Sequence, residues 1–240
     1  MRILRPQQGN LWVLAKEHLT VESLPRRLRA ADVCLSDLDD TDCNSPAKLL
    51  TSHAIGTHYW SPRWLDWAVR NFVVQRNGNG VESARWDAYV QRFLSTAERR
   101  QEAKRFFTKE QVRATLFPGV AAFYQHLPAV KVYVTRNIEE VVESYARELG
   151  FTEWHGEEQC KRVPVERYLK EHPEQQHYLV KGDSEEDFEM LEVLRSYQKR
   201  KKIESVLGIY CAQRFFKEKH NFDVEIGRDY RGLVELLNAH

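Results

Sequence analysis

No stretch of the sequence approaches the ~20 consecutive apolar residues of a membrane-spanning helix, so no membrane partner is expected. The first residues, MRILRPQQGNLWVLAKEHL, lack both a long apolar core and a small-residue cleavage site, which argues against a secretory leader. The four cysteines (Cys34, Cys43, Cys160 and Cys211) make no CxxC pair and show no paired spacing. Cys34 and Cys211 lie in apolar runs and read as buried thiols, as expected of a cytoplasmic, reducing setting. The nine histidines make no HxxxH pair, which leaves no candidate zinc site. Internal repeats and low-complexity segments are missing as well. So is any large excess of charge: 36 Lys and Arg against 35 Asp and Glu give +1, too little for wholesale nucleic-acid binding. The run QKRKK (198–202) has no interleaved aromatics and reads as a solvated helix end rather than a nucleic-acid patch.

What the chain does have is enough apolar residue, 42% of 240, to bury a sizeable core. Short apolar runs stand at DVCLSDL (32–38), KVYVT (131–135), HYLVKGD (177–183), SVLGIYC (205–211) and FDVEI (222–226). They are near-continuous rather than alternating, the pattern of parallel strands covered on both faces. Helical segments fall between most of them: 138–150 ending at Gly150, 165–172, 185–200 and 230–240. Alternating strands and helices predict an α/β fold, a doubly wound, Rossmann-like and mainly parallel sheet. Residues 45–116 break the alternation with no convincing strand. They predict an all-helical insertion, so the expected domains are a core of residues 1–44 and 113–240 and a helical cap of 45–112. Over residues 46–112 there are 11 Lys and Arg against 6 Asp and Glu, +5, which leaves the rest of the chain near −4 (1 − 5). Trp60, Trp64 and Trp67 recur at helical spacing and read as core of that insert. Residues 1–30 carry no assigned role.

The stretch VCLSDLDDT (33–41) runs an apolar strand straight into Asp37, Asp39 and Asp40. Such carboxylates repel one another unless something positive lies among them. In a doubly wound sheet, ligands bind outside the carboxyl ends of the strands. Those ends carry Asp183 and Asp187 after one strand and Thr135 after another, with Lys161 ahead of a helix. Carboxylates gathered without histidine or cysteine suit a hard cation such as Mg²⁺. Such an ion would relieve the repulsion and could hold a phosphate, whose other oxygens a hydroxyl and an ammonium would take.

This set resembles the haloacid dehalogenase (HAD) superfamily. The strand followed by DxDx[TV] is Asp37-Leu38-Asp39-Asp40-Thr41, and the strand ending in Thr or Ser ends at Thr135. The lysine before a helix maps to Lys161, and GDxxxD is Gly182 to Asp187. The order is right, and the insert falls where that superfamily places its C1 cap. The resemblance implies an Mg²⁺-dependent phosphohydrolase acting on a small phosphorylated substrate. It makes Asp37 the nucleophile that becomes an aspartyl-phosphate and Asp39 the general acid/base. Asp37, Asp39 through its backbone carbonyl, and Asp183 would hold the metal, with Asp187 in or just behind that site. Thr135, Arg136 and Lys161 would bind the phosphate. A phosphotransferase or phosphomutase of the same fold remains open, as does a non-catalytic metal- or phosphate-binding protein; the Asp37/Asp39 pair argues against the last. Lys181 departs from the small or apolar residue usual before Gly-Asp and is expected to crowd or tune the site. Asn137 reads as a helix N-cap, with Glu140 three residues on. The oligomeric state is not legible.

Overall fold

The computed structural model describes residues 2–6, 12–46, 49–50, 96–158, 160–211 and 221–238. In chain order these residues form β1 (Arg2–Pro6), β2 (Trp12–Ala15), α1 (Ser23–Arg29), β3 (Val33–Ser36), α2 (Ala97–Phe106), α3 (Lys109–Thr115), α4 (Val120–His126) and β4 (Val130–Val134). There follow α5 (Glu139–Leu149), β5 (Glu153–His155), α6 (Arg162–Glu171), β6 (His177–Gly182), α7 (Asp187–Lys199), β7 (Ser205–Cys211), β8 (Val224–Ile226) and α8 (Arg231–Asn238). The eight strands make one sheet in the order β1-β2-β8-β7-β6-β3-β4-β5. From β8 to β5 every pairing is parallel, while β2 pairs antiparallel with both β1 and β8. The expected α/β architecture is therefore present, with β3 between β6 and β4.

All five strands read from the apolar runs appear. Residues 1–30 supply what that reading left blank: a hairpin, β1–β2, that extends the sheet at its β8 edge, and the helix α1. A third addition is β5, three residues at the other edge.

Strand parity sorts the core into two layers. Cys34, Leu179, Tyr133, Leu207 and Ile209 face one cluster, built with α1, α4, α5 and α8. Val33, Leu35, Val132, Val134, Tyr178 and Val180 face the other, built with α6 and α7. Both faces are covered, which is why the central strands read as unbroken apolar runs. Gly150 ends α5 in the left-handed conformation (φ 73°), a region that costs glycine no Cβ clash.

Of the expected cap, residues 51–95 lie outside the described residues, including the Trp-rich segment and the basic residues Arg63, Arg70 and Arg76. Its C-terminal part is described. There α2 and α3 lie against α5, and charge matches across the contact. Arg100 pairs with Glu140 (3.2 Å) and Glu157 (2.6 Å), Lys104 with Glu143 (2.5 Å), and Lys109 with Glu148 (3.7 Å). Part of the insert's positive charge is thus already paired with acids of the sheet domain. No helix among the described residues is long and apolar enough to cross a membrane.

Candidate active site

The parallel pairing of β4, β3 and β6 brings their carboxyl ends side by side. Asp37 follows β3 directly, Thr135 follows β4, and Asp183 follows β6. Lys161 is the N-cap of α6 and reaches into the same crevice. Its ammonium lies 2.7 Å from Asp37 Oδ1 and 2.5 Å from Asp187 Oδ1. The hydroxyl of Thr41 lies 3.3 Å from Asp37 Oδ2 and 3.4 Å from Asp183 Oδ1, within reach of either. The structure therefore gathers Asp37, Lys161, Asp183 and Asp187, residues that span 150 positions of the chain.

Asp187 opens α7 and is fully buried. Its Oδ2 accepts from the amides of Asp183 and Ser184 and from the Ser184 hydroxyl, each at 2.9 Å. This carboxylate folds the turn after β6 back onto itself. Gly182 makes room for it: a Cβ there would lie 2.2 Å from the Asp187 Cβ. The spacing GDxxxD is thus needed by the local backbone as well as by any ligand.

Asp39 stands apart from that cluster. Ser45 donates its hydroxyl to Asp39 Oδ1 (2.8 Å), and the Asn137 amide donates to Oδ2 (2.9 Å). Both donors are neutral. Burial raises the Asp39 pKa against the pull of these hydrogen bonds. Asn137 is not the N-cap read from sequence. Its Oδ1 accepts from the Ile138 amide (2.8 Å), but its amide nitrogen is spent on Asp39. The N-cap position of α5 itself is Ile138. Neither Asn137 nor Ser45 could be assigned to Asp39 from spacing alone.

Asp40, in the left-handed region (φ 55°), turns its carboxylate to Arg228 at 2.9 Å. Thr135 is buried, and its hydroxyl accepts from the Asn137 amide at 3.3 Å. Arg136 lies beside Glu186 at 2.8 Å and so bridges the loops after β4 and β6. Lys181 departs from the first half of its expectation, that it would crowd or tune the site. It does not crowd the crevice: its side chain points to the opposite face of the sheet, where its ammonium lies 2.5 Å from Asp42.

The electrostatics of the crevice are unbalanced. Burial raises the Asp37 pKa, opposed by Lys161 and reinforced by Asp187 and Asp39. Asp183 is raised well above the ordinary carboxylate range, by burial first and then by Asp187 and Asp37. Burial pulls the Lys161 ammonium down, and Asp187 and Asp37 outweigh it, so its pKa is raised overall. One carboxylate oxygen each from Asp37, Asp183 and Asp187 fall within 4.8 Å of one another. The donor set is all oxygen, over-supplied with negative charge and largely withdrawn from water. It fits a small hard cation such as Mg²⁺.

No protein-family model matches the sequence, and no curated protein does. Solved structures do. The HAD-hydrolase YfnB from Bacillus subtilis, bound to magnesium, superposes with a TM-score of 0.54 at 16% identity over 87% of this chain and 99% of that one. A phospho-aspartyl intermediate analogue of phosphoserine phosphatase gives 0.53 at 16% identity, over 85% and 98%. The apo form of phosphoserine phosphatase gives 0.51 at 12% identity, over 85% and 98%.

The chain has the HAD-like fold. Within that fold, the DLDDT turn follows β3 and the Gly182–Asp187 turn ends its neighbour β6. At these identities the likeness is one of architecture.

Proposed function

We propose that this HAD-like protein is an Mg²⁺-dependent phosphohydrolase of small phosphate monoesters, working through an aspartyl-phosphate on Asp37. The observation that carries this reading is the division of environments between Asp37 and Asp39. Two carboxyl groups two residues apart are held by different chemistry. Asp37 lies against the Lys161 ammonium and the Thr41 hydroxyl; Asp39 is held by a hydroxyl and an amide. Pairs of acids placed in different environments suit different roles.

In the first step a carboxylate oxygen of Asp37 forms a bond to phosphorus as the P–O bond to the leaving alcohol breaks. Asp39, carrying a proton, gives it to the departing alkoxide. In the second step a water oxygen attacks phosphorus while Asp39 takes one of its protons. The acyl-phosphate P–O bond breaks, releasing phosphate and restoring the Asp37 carboxylate. Lys161 and Thr135 steady the oxygens of the transferring group. Arg136 contributes from the rim when it parts from Glu186. Asp37 and Asp183, with the Asp39 carbonyl, are the metal ligands of this reading. Asp187, both of whose oxygens already accept hydrogen bonds, holds that set from behind. When bound, Mg²⁺ would neutralise charge on the phosphoryl oxygens and orient them for in-line attack.

A helical cap of residues 45–112 over the crevice belongs to the same proposal. So does a cytoplasmic location, which the buried thiols Cys34, Cys43 and Cys211 suit. The deciding experiment is a panel of phosphorylated metabolites assayed for phosphate release with Mg²⁺. Turnover that EDTA and Asp37→Asn both abolish is the expected result. A panel with no Mg²⁺-dependent release, or release that survives Asp37→Asn, overturns the reading.

A further inference from the structure

Beneath the crevice lies a second charged cluster that the proposed chemistry does not use. Asp42 and Lys181 are both fully buried and lie 2.5 Å apart. Asp42 Oδ2 also accepts from the hydroxyls of Tyr124 (2.5 Å), Tyr133 (3.0 Å) and Ser36 (3.3 Å). The Lys181 ammonium donates to the Tyr230 hydroxyl (3.0 Å) and lies 4.3 Å and 4.4 Å from the ring centres of Tyr124 and Tyr230. The Tyr230 hydroxyl is within reach of the Thr41 carbonyl (3.0 Å) and Asp42 Oδ1 (3.1 Å). The Ser36 hydroxyl also lies 2.7 Å from the Asp37 carbonyl, and its one proton can serve either that carbonyl or Asp42.

A buried ion pair is a poor device for stability alone, because desolvating two ions offsets most of their attraction. Its position is the informative feature. Lys181 holds the loop of residues 37–42 at both ends. Its carbonyl accepts the Asp37 amide (3.1 Å), and its ammonium takes the Asp42 carboxylate (2.5 Å). Two residues further on, the same strand delivers Asp183. The loop that carries one proposed metal ligand is thus tied, by main chain and side chain of one residue, to the strand end that carries the other.

We infer that Asp42 and Lys181 are a positioning pair: by clamping the 37–42 loop to the end of β6, they set the spacing of Asp37 and Asp183 and with it the affinity of that site for a divalent cation. The inference rests on the reading of Asp37 and Asp183 as metal ligands proposed above. Neither residue of the pair touches the reacting atoms.

The test replaces both members with uncharged near-isosteres, Asp42→Asn with Lys181→Met, so that no buried charge is left alone. Mn²⁺ serves as the probe, titrated by electron paramagnetic resonance, and amide hydrogen exchange over residues 37–42 is compared with that of β4. The folded double variant should bind Mn²⁺ about 10- to 100-fold more weakly than wild type, the loss typical when outer partners of a metal site are removed. Its loop amides should exchange faster while those of β4 keep wild-type rates. Unchanged Mn²⁺ affinity overturns the inference, whether or not the loop loosens. If the double variant does not fold, Tyr230→Phe decides. It deletes only the hydroxyl shared by Lys181, Asp42 and the Thr41 carbonyl, and wild-type Mn²⁺ affinity and loop protection in it overturn the inference. If the wild type itself binds no Mn²⁺, the reading of the crevice fails, and the exchange comparison alone then supports or removes the clamp.

Discussion

Lys161 and Lys181 are both buried ammoniums resting on aspartates, one in the crevice at the carboxyl edge of the sheet and one on its other face. Around Lys181 the charges balance. One carboxylate meets one ammonium, and four hydroxyls from Ser36 and three tyrosines complete the shell. Around Lys161 they do not. Asp37 and Asp187 share a single ammonium, Asp183 gathers with them without an ammonium of its own, and Asp37 and Asp183 are both pushed toward protonation. The closed cluster is balanced, whereas the open one holds two more carboxylates than ammoniums. A site that keeps such an imbalance out of water suits a ligand that brings a cation.

Breaking the comparison at its most reactive atom has the largest expected effect. Asp37→Asn should abolish phosphoenzyme formation with every substrate, measured as covalent phosphate on the protein; retained labelling would remove Asp37 as nucleophile. Next comes Asp39→Asn, which should depend on the leaving group. An alkyl phosphate should lose about 10²–10⁴-fold in rate, as expected when a general acid is removed. A nitrophenyl phosphate should still form the aspartyl-phosphate and then hydrolyse it slowly, seen as a burst.

The two lysines should then differ in what they cost the fold. Lys161→Ala should cost kcat/KM about 10²-fold or more while the protein still melts cooperatively. Lys181→Ala should instead destabilise the fold by about 3–5 kcal/mol through the uncompensated Asp42 charge, read by chemical denaturation, and weaken the divalent-cation site with it. The exposed Lys170, at the far end of α6, should be nearly silent in both assays. A smaller effect is expected from metal. At a hundred times its dissociation constant, Mg²⁺ should stabilise the wild type by about 2.7 kcal/mol, and Asp183→Asn should remove that gain. Smallest of all is the docking of α2. Lys104→Ala, at a partly exposed ion pair, should cost no more than about 1 kcal/mol, less in high salt.

Much of the sheet was legible because its central strands are buried on both faces and so read as unbroken apolar runs. The three strands not foreseen are short: RILRP, WVLA and EWH. They take their conformation from a neighbour at the sheet edge, and no local pattern announces that. The crevice was legible for a related reason. Asp37, Thr135 and Asp183 each follow an apolar strand directly, and a doubly wound sheet brings such ends together. Ser45 and Asn137 were not legible as partners of Asp39. Small polar residues near helix starts are common, and which acid they meet depends on how the loops fold.

The chemistry on offer at the strand ends was determined by the sequence itself, because adjacency along the chain places a side chain at the end of its strand whatever the rest of the fold does. Which face each residue serves was decided only by the tertiary structure. In a strand apolar on both sides, hydrophobicity does not distinguish the two parities, so Lys181 could be assigned to the crevice or to the core. Its partner lies 139 residues away, and only the packing of β3, α4 and α8 around one point makes Asp42 the acid that takes its charge.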